Sequence, residues 1–269
     1  MISKYRHKEL AWVDLEAPSE EEILHVIEQY SIPLSIEEEI RTNTDDSKTT
    51  LNNGCIFTSL YFPQILLKEN KVINNKISII INNSFILTIH DKPVIAFKEF
   101  LNNLEIDTTL PEQLQIKHTD LLSFYLIKSL YISLKDQLLE SESQTKEIES
   151  QIFESYNKNI PILVFNKNKI LIEVEQILGS HNKILKTLSH HLVSIFGDRF
   201  ENYSSVITEE SNEVRLMVIS QNKNLNNLYN LNNSIRENKN HKNIKLLVSL
   251  SVISLIIIML ISIYVFSNI

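Results

Sequence analysis

Glycine is almost missing from this chain. Only Gly54, Gly179 and Gly197 occur among 269 residues. Their isolation rules out both the GxGxxG turn of a dinucleotide fold and the GxxxxGK[ST] cradle of a phosphate loop. Nucleotide chemistry through those loops is excluded, and no nucleotide partner is expected. Cysteine is scarcer still. A lone Cys55 forbids an intrachain disulfide and any multi-cysteine zinc site, and it agrees with a reducing compartment. A basic excess is lacking too: 26 Lys+Arg against 33 Asp+Glu leave a formal charge of −7. Phosphate backbones are held by clustered cations, so no nucleic-acid partner is expected. HExxH, GxSxG and any Cys–His arrangement with local support are also missing, and the chain is not expected to be an enzyme.

Charge itself is lacking from Leu246 to Phe266, where LLVSLSVISLIIIMLISIYVF runs for 21 residues. About 20 apolar residues at 1.5 Å each cross a hydrocarbon core of roughly 30 Å, so the spacing predicts a transmembrane helix, set at 244–266. Its serines are expected to return their hydroxyls to carbonyls of the preceding turn, which lowers their cost in lipid. Arg236, Lys239, Lys242 and Lys245 precede the span, whereas Ser267, Asn268 and Ile269 carry no charged side chain. The positive-inside bias therefore predicts a single-pass protein of the cell (inner) membrane with its N-terminal part in the cytoplasm. MISKYRHKEL has no apolar h-region, so no export signal is expected there.

The rest of the chain changes texture once. Leu10 to Leu15 reads as a strand, and Pro18-Ser19 followed by three Glu opens a helix to about Tyr30. Pro33 to Ile40 predicts a second short helix, and the polar run Arg41 to Asn53 a loop or a frayed segment. CIFTSLYF after Gly54, Ile77 to Ile81 and Phe85 to Ile89 read as strands, the last two joined at Asn82-Asn83 by residues that tolerate left-handed backbone. Pro93 to Leu104 returns to helical spacing. From Thr119 long helices take over: Leu122, Leu126, Leu130, Leu134 and Leu138 recur every four residues. Pro161 can start a further helix that runs through Ile170, Ile177 and Leu188 to a stop at Gly197. Beyond it, Tyr203, Val206, Val214, Met217, Leu228, Leu231 and Ile235 lead into the span with no Gly or Pro. The expected architecture is an α+β/α membrane protein: an N-terminal α/β cytoplasmic domain (1–115), a long-helix stalk (116–243) and one C-terminal transmembrane helix (244–266).

The order of these parts, with the fragments WVDLEAPSEEEI, PLSIEEEI, GCIFTSLYF, SFILTIHDKPVIAF, NKNHKNIKLLVSLSVIS and IYVFSNI, resembles the CorA family of divalent-cation transporters. The resemblance implies a homo-oligomer, a pentamer, with the long helix lining a pore. It also implies magnesium, or another divalent cation such as cobalt, as transported or regulatory ion, with no other cofactor. A polar position at the cytoplasmic start of the pore helix falls at His241, and two apolar gate positions fall at Ile244 and Leu247. Rings of apolar side chains block ions by dewetting. An imidazole ring can also charge near neutral pH, where five protonated copies would repel cations. The resemblance further implies regulatory carboxylates, for which Glu209 and Glu210 are the nearest candidates. A solvated helix face is the competing reading of that pair.

Two departures from the family are visible. The signature Gly-Met-Asn after the pore-helix Tyr is absent: Tyr264 is followed by Val265, Phe266 and Ser267. The family's second membrane helix is also not found, so a C-terminally truncated relative is expected. Transport would be passive, because a membrane potential of 100 mV drives a divalent cation inward by roughly 4.6 kcal/mol. The alternative is a non-conducting, single-span scaffold or regulator derived from the same family. His181, His190 and His191 lack the i, i+4 spacing of a two-imidazole metal face, and they are expected on a polar stalk surface. Trp12 and Tyr5 are expected to be packing residues.

Overall fold

In a computed structural model the described residues are 2–7, 10–42, 46–106, 119–154 and 159–267; the side chains of 6–7, 103–106, 153–154 and 259–267 are not described. Six strands, β1 (Ile2–His7), β2 (Leu10–Glu16), β3 (Lys48–Asn52), β4 (Cys55–Leu66), β5 (Lys71–Ile81) and β6 (Phe85–His90), form one sheet of order β1-β2-β6-β5-β4-β3. Only β2 and β6 pair in parallel. The central strands read as continuous apolar runs because both of their faces are covered. Ile56, Leu60, Ile77, Ile79, Ile81 and Ile86 face one core. Cys55, Phe57, Ile80, Phe85 and Leu87 face the other, closed by α1 (Glu20–Gln29) and α2 (Leu34–Thr42).

Local chemistry sets the boundaries. Ser19 caps α1 by accepting from the Glu22 amide, and Glu22 reaches back to the Ser19 amide, a complete capping box. Pro63 sits within β4 at no cost. The Ile65 amide points away from β5 and donates to the Gln137 side chain at 2.6 Å. Residue 63 faces the same open side, so no ladder bond is lost there.

The predicted loop from Arg41 to Asn53 needs correcting, because Lys48–Asn52 is a strand. It pairs with Cys55–Ser59 across Asn53 (φ 47) and Gly54 (φ 73), the dihedral pattern of a type I′ turn. The Asn82-Asn83 connection does join β5 to β6, but not through left-handed backbone. Instead, the Asn82 side chain accepts from the amides of Ser84 and Phe85. β1 was not anticipated at all.

The second face of the sheet carries α3 (Ile95–Ile106), α4 (Thr119–Glu154), α5 (Ile160–Leu178), α6 (His181–Phe196) and α7 (Arg199–Ser267). Every member of the Leu122–Leu138 ladder is buried, and one cluster runs from the sheet through α4, α5 and α6 into α7. The single helix predicted from Pro161 to Gly197 is two helices, separated at Gly179-Ser180. The stop at Gly197 is observed, with φ 80 closing α6 on the Val193 carbonyl at 2.8 Å.

Candidate ion-conduction helix

α7 has 69 residues, which at 1.5 Å each makes it roughly 104 Å long. No Gly or Pro interrupts it. Its first half has a buried seam at Phe200, Ser204, Ile207, Ser211, Val214, Val218, Gln221, Leu225 and Leu228, alternating steps of four and three as in a coiled coil. The apolar series read from the sequence overlaps this seam only at Val214 and Leu228. Tyr203, Val206 and Met217 flank it, and three seam positions are polar. Two of them have partners inside the stalk. Gln221 donates to the Leu138 carbonyl at 2.9 Å, and Ser211 bonds the Tyr131 hydroxyl.

Past Ile235 the helix leaves the rest of the chain. All described side chains from Glu237 to Ile258 are exposed, among them His241, Ile244 at 55% and Leu247 at 64%. These three residues follow one another at intervals of three, so they form a single row along α7. The 60 described residues from Arg199 to Ile258 contain a helical window long and apolar enough to cross a membrane, with none of it buried. Inside this window Ser249, Ser251 and Ser254 each donate to a carbonyl three residues earlier, at 2.7, 2.8 and 2.7 Å. These three hydroxyls are therefore satisfied within the helix, as expected; the side chain of the fourth, Ser262, lies outside the described residues. The side chains of Val265, Phe266 and Ser267 lie outside the described set.

Glu209 and Glu210 are not brought together. Glu209 is exposed, whereas Glu210 is half-buried and pairs with Lys128 at 3.2 Å. The next acid, Glu213, pairs with Lys135 at 2.6 Å. Among the described residues no group of three or more His, Cys, Asp or Glu gathers around a common point.

Sequence reasoning missed two polar centres. His181 is not on a stalk surface; it is fully buried where the stalk meets the sheet. Its Nε2–H donates to the Tyr61 carbonyl at 2.8 Å, and its Nδ1 accepts from the Tyr131 hydroxyl at 2.8 Å. Burial pushes its pKa down to about 4. His190 is exposed and His191 half-buried, so the histidines do not form one group.

The other centre is Lys167, buried between α5 and α4. Its ammonium donates to the Ser141 carbonyl at 3.0 Å, the Ser141 hydroxyl at 3.3 Å and Gln144 at 3.0 Å. Burial lowers its pKa to about 8 against the pull of Glu147 and Glu140. No spacing rule marks either residue, because each is defined by partners from other elements.

Trp12 is a packing residue, as expected. It is buried against Phe97 and Phe100, and its indole N–H donates to Thr88 at 3.0 Å. Thr88 in turn donates to Asp14, which also holds His90 Nε2 at 3.1 Å. Burial alone would lower the His90 pKa, but the Asp14 hydrogen bond and charge, the Lys92 carbonyl and Glu16 together raise it.

Several solved structures share this fold. The CorA magnesium transporter from Methanocaldococcus jannaschii matches with a TM-score of 0.74 at 15% identity, over 90% of this chain and 75% of that one. The soluble domain of CorA from the same organism gives 0.69 at 15%, over 84% and 88%. The ZntB cytoplasmic domain from Vibrio parahaemolyticus gives 0.66 at 13%, over 86% and 91%. No curated protein matches the sequence. The family model described as CorA-like Mg2+ transporter protein matches residues 7–259, and the chain belongs to that family.

Proposed function

We propose that this protein is a passive conduit for a divalent cation, magnesium first among the candidates, built from several copies of the chain in the inner membrane. Five copies is the number the family resemblance suggests, with the N-terminal part in the cytoplasm. α7 supplies one wall of the pore, and His241, Ile244 and Leu247 face its axis. In this reading 1–115 and 116–243 form the cytoplasmic apparatus and 244–266 the span. The observation that carries the proposal is the continuity of α7: one unbroken helix is buried along a heptad seam in its first half and exposed at every described side chain from Arg236 to Ile258. Such a helix transmits a displacement of the stalk directly to the membrane segment, and its apolar rows need partners from outside the chain. Glu209 is the better placed of the two regulatory carboxylates, because Glu210 already has a cation beside it.

A second reading, a membrane-anchored regulator that does not conduct, rests on Val265 and Phe266, which follow Tyr264 and offer no side-chain oxygen to a hydrated ion. Uptake of magnesium or cobalt by cells stripped of other importers separates the two. Expression of the chain is expected to restore metal-dependent uptake, and Leu247→Asn to raise the leak by opening the apolar constriction. Absence of uptake, with the protein present as an oligomer in the membrane, would leave the regulator reading standing.

A further inference from the structure

The cytoplasmic approach to the apolar segment is strongly basic, and its cations are arranged in a pattern. Arg236, Lys239, Lys242 and Lys245 lie at intervals of three along α7, all exposed, with Glu237 the only acid from residue 236 to residue 258. Lys239 stands two residues before His241, Lys242 two before Ile244, and Lys245 two before Leu247. At about 100° per residue Lys239, Lys242 and Lys245 are each turned about 160° from the row residue two positions on, and Lys242 and Lys245 about 100° from the row residue just before them. A collar built for an ion path would put charge on that row. Here the row is polar or apolar, and the cations lie off it, turning about 60° per step so that the four spread over about 180° of the helix.

We infer that this row of cations is a docking surface for anionic phospholipid headgroups of the cytoplasmic leaflet, and that it sets the depth and rotation of α7 in the membrane. The inference rests on the pore reading only in naming which side of the helix faces lipid. Charge complementarity identifies the occupant. The cations begin where the chain's own packing ends, just past Ile235, and they stop where the apolar segment begins. Long Lys and Arg stems can lie along the first apolar turn while their charged ends stay at headgroup level. Each basic residue beside an anionic surface favours association by about fivefold, roughly 1 kcal/mol, and salt screens the effect.

The test uses the full chain in vesicles of phosphatidylcholine and phosphatidylglycerol. A reporter comes from Leu246→Trp, an exposed position directly after the last cation of the row. The native Trp12 is buried in the sheet domain beside Phe97 and Phe100, outside the membrane segment. Quenching by brominated phosphatidylglycerol is compared with quenching by brominated phosphatidylcholine in otherwise identical mixtures. The expected result is a preference for the anionic lipid of about tenfold that falls with added salt. It should be lost in R236Q/K239Q/K242Q/K245Q and nearly lost in K239Q/K242Q. Quenching by brominated phosphatidylcholine in those variants checks that the helix is still inserted.

Equal quenching by the two lipids, or a preference that survives all four substitutions in an inserted helix, would overturn the inference. Glu237→Gln removes the one acid among these cations and is expected to strengthen the preference, whereas Asn243→Gln is expected to leave it unchanged. A protein that shows the preference but no cation uptake refutes the pore reading alone.

Discussion

Protonating His181 should pull the stalk off the sheet. Its imidazole is wholly buried between α6, α4 and β4, and the Tyr61 carbonyl can only accept, so Nε2 carries the proton and Nδ1 receives the Tyr131 hydroxyl. A second proton on Nδ1 would face a hydroxyl already oriented to donate, in a place water does not reach. The folded-state pKa of about 4 lies below the ordinary value of 6.5, so the folded protein binds fewer protons than the unfolded chain between those values. Stability is therefore fully present above pH 6.5 and falls as pH drops toward 4. At about 1.36 kcal/mol per unit, the loss by pH 4 is about 3 kcal/mol.

His181→Gln keeps a donor and an acceptor at the site without the titration. It is expected to be less stable than the parent by about 1–2 kcal/mol at pH 7, with the gap closing and then reversing as pH falls. Urea unfolding of the full chain in detergent, followed by Trp12 fluorescence at several pH values, reads this directly. With a slope of about 2–3 kcal/mol per molar, the parent midpoint should lose about 1–1.5 M more than the variant's between pH 6.5 and 4. Carboxylate titrations are common to both proteins and cancel in the difference. A gap that stays constant with pH would refute the argument, because it would mean that the imidazole is charged or solvated in the fold.

Other groups titrate with other signs. The raised pKa of His90 contributes stability that is present below pH 6.5 and is lost as pH rises through the folded value. Asp14→Asn should remove that dependence, so the unfolding midpoints of parent and variant converge above neutrality; parallel curves would count against it. Lys167 is the reverse case. Its charged form is penalised by burial, so the parent should gain stability as pH rises from about 8 toward 10.5. Lys167→Met should stabilise the protein at pH 7 by about 1–2 kcal/mol, a figure reduced from the full shift because the bonds to Ser141 and Gln144 are lost with the charge. The advantage should shrink at alkaline pH, and a variant that is destabilised throughout would show that the bonds to Ser141 and Gln144 outweigh desolvation. At the β3–β4 turn an added Cβ on Gly54 meets nothing within 4 Å. The cost of Gly54→Ala is then the positive φ alone, about 1–2 kcal/mol in the same unfolding assay; a neutral result would mean that the turn changes type.

Legibility in the sequence followed how much of an element's burial came from its own periodicity. The leucines of α4 repeat every four residues and are all buried, so pattern and packing coincide. β1 is an edge strand with one neighbouring strand, and none of its described side chains is fully buried, so ISKYRH carries no apolar run to mark it. β3 was readable from Asn53-Gly54, the strongest short hairpin signal, but the polar run before it masked the β-branched KTTLN. The break at Gly179 left almost no trace, because its backbone stays in the right-handed helical region at φ −57, ψ −32. The α7 seam was obscured for a different reason. Ser204, Ser211 and Gln221 occupy buried positions that a hydrophobicity count scores as surface, and the stalk supplies Ser211 and the Gln221 amide with partners.

The membrane half of α7 presents the opposite problem, since there the sequence speaks more plainly than the packing of one chain. Ten large apolar side chains from Leu246 to Ile258 each stand about half exposed or more. Burying a side chain of this kind is worth about 1.5–3 kcal/mol, so the gross driving force toward an apolar surrounding is roughly 15–30 kcal/mol. The stalk seam ends near Leu228, and no other described element reaches this segment, so that surrounding comes from outside the chain. A bilayer covers such a helix on every side, whereas copies of the chain cover only part of it. The row His241, Ile244, Leu247 and the cations two residues ahead of each distinguish the two surroundings. Apolar residues that follow one polar position can line a narrow axis, and ammonium groups off that row are stable only where water and headgroups meet them. In the lipid-docking reading the charges set the rotation of the helix and the place where they stop sets its depth.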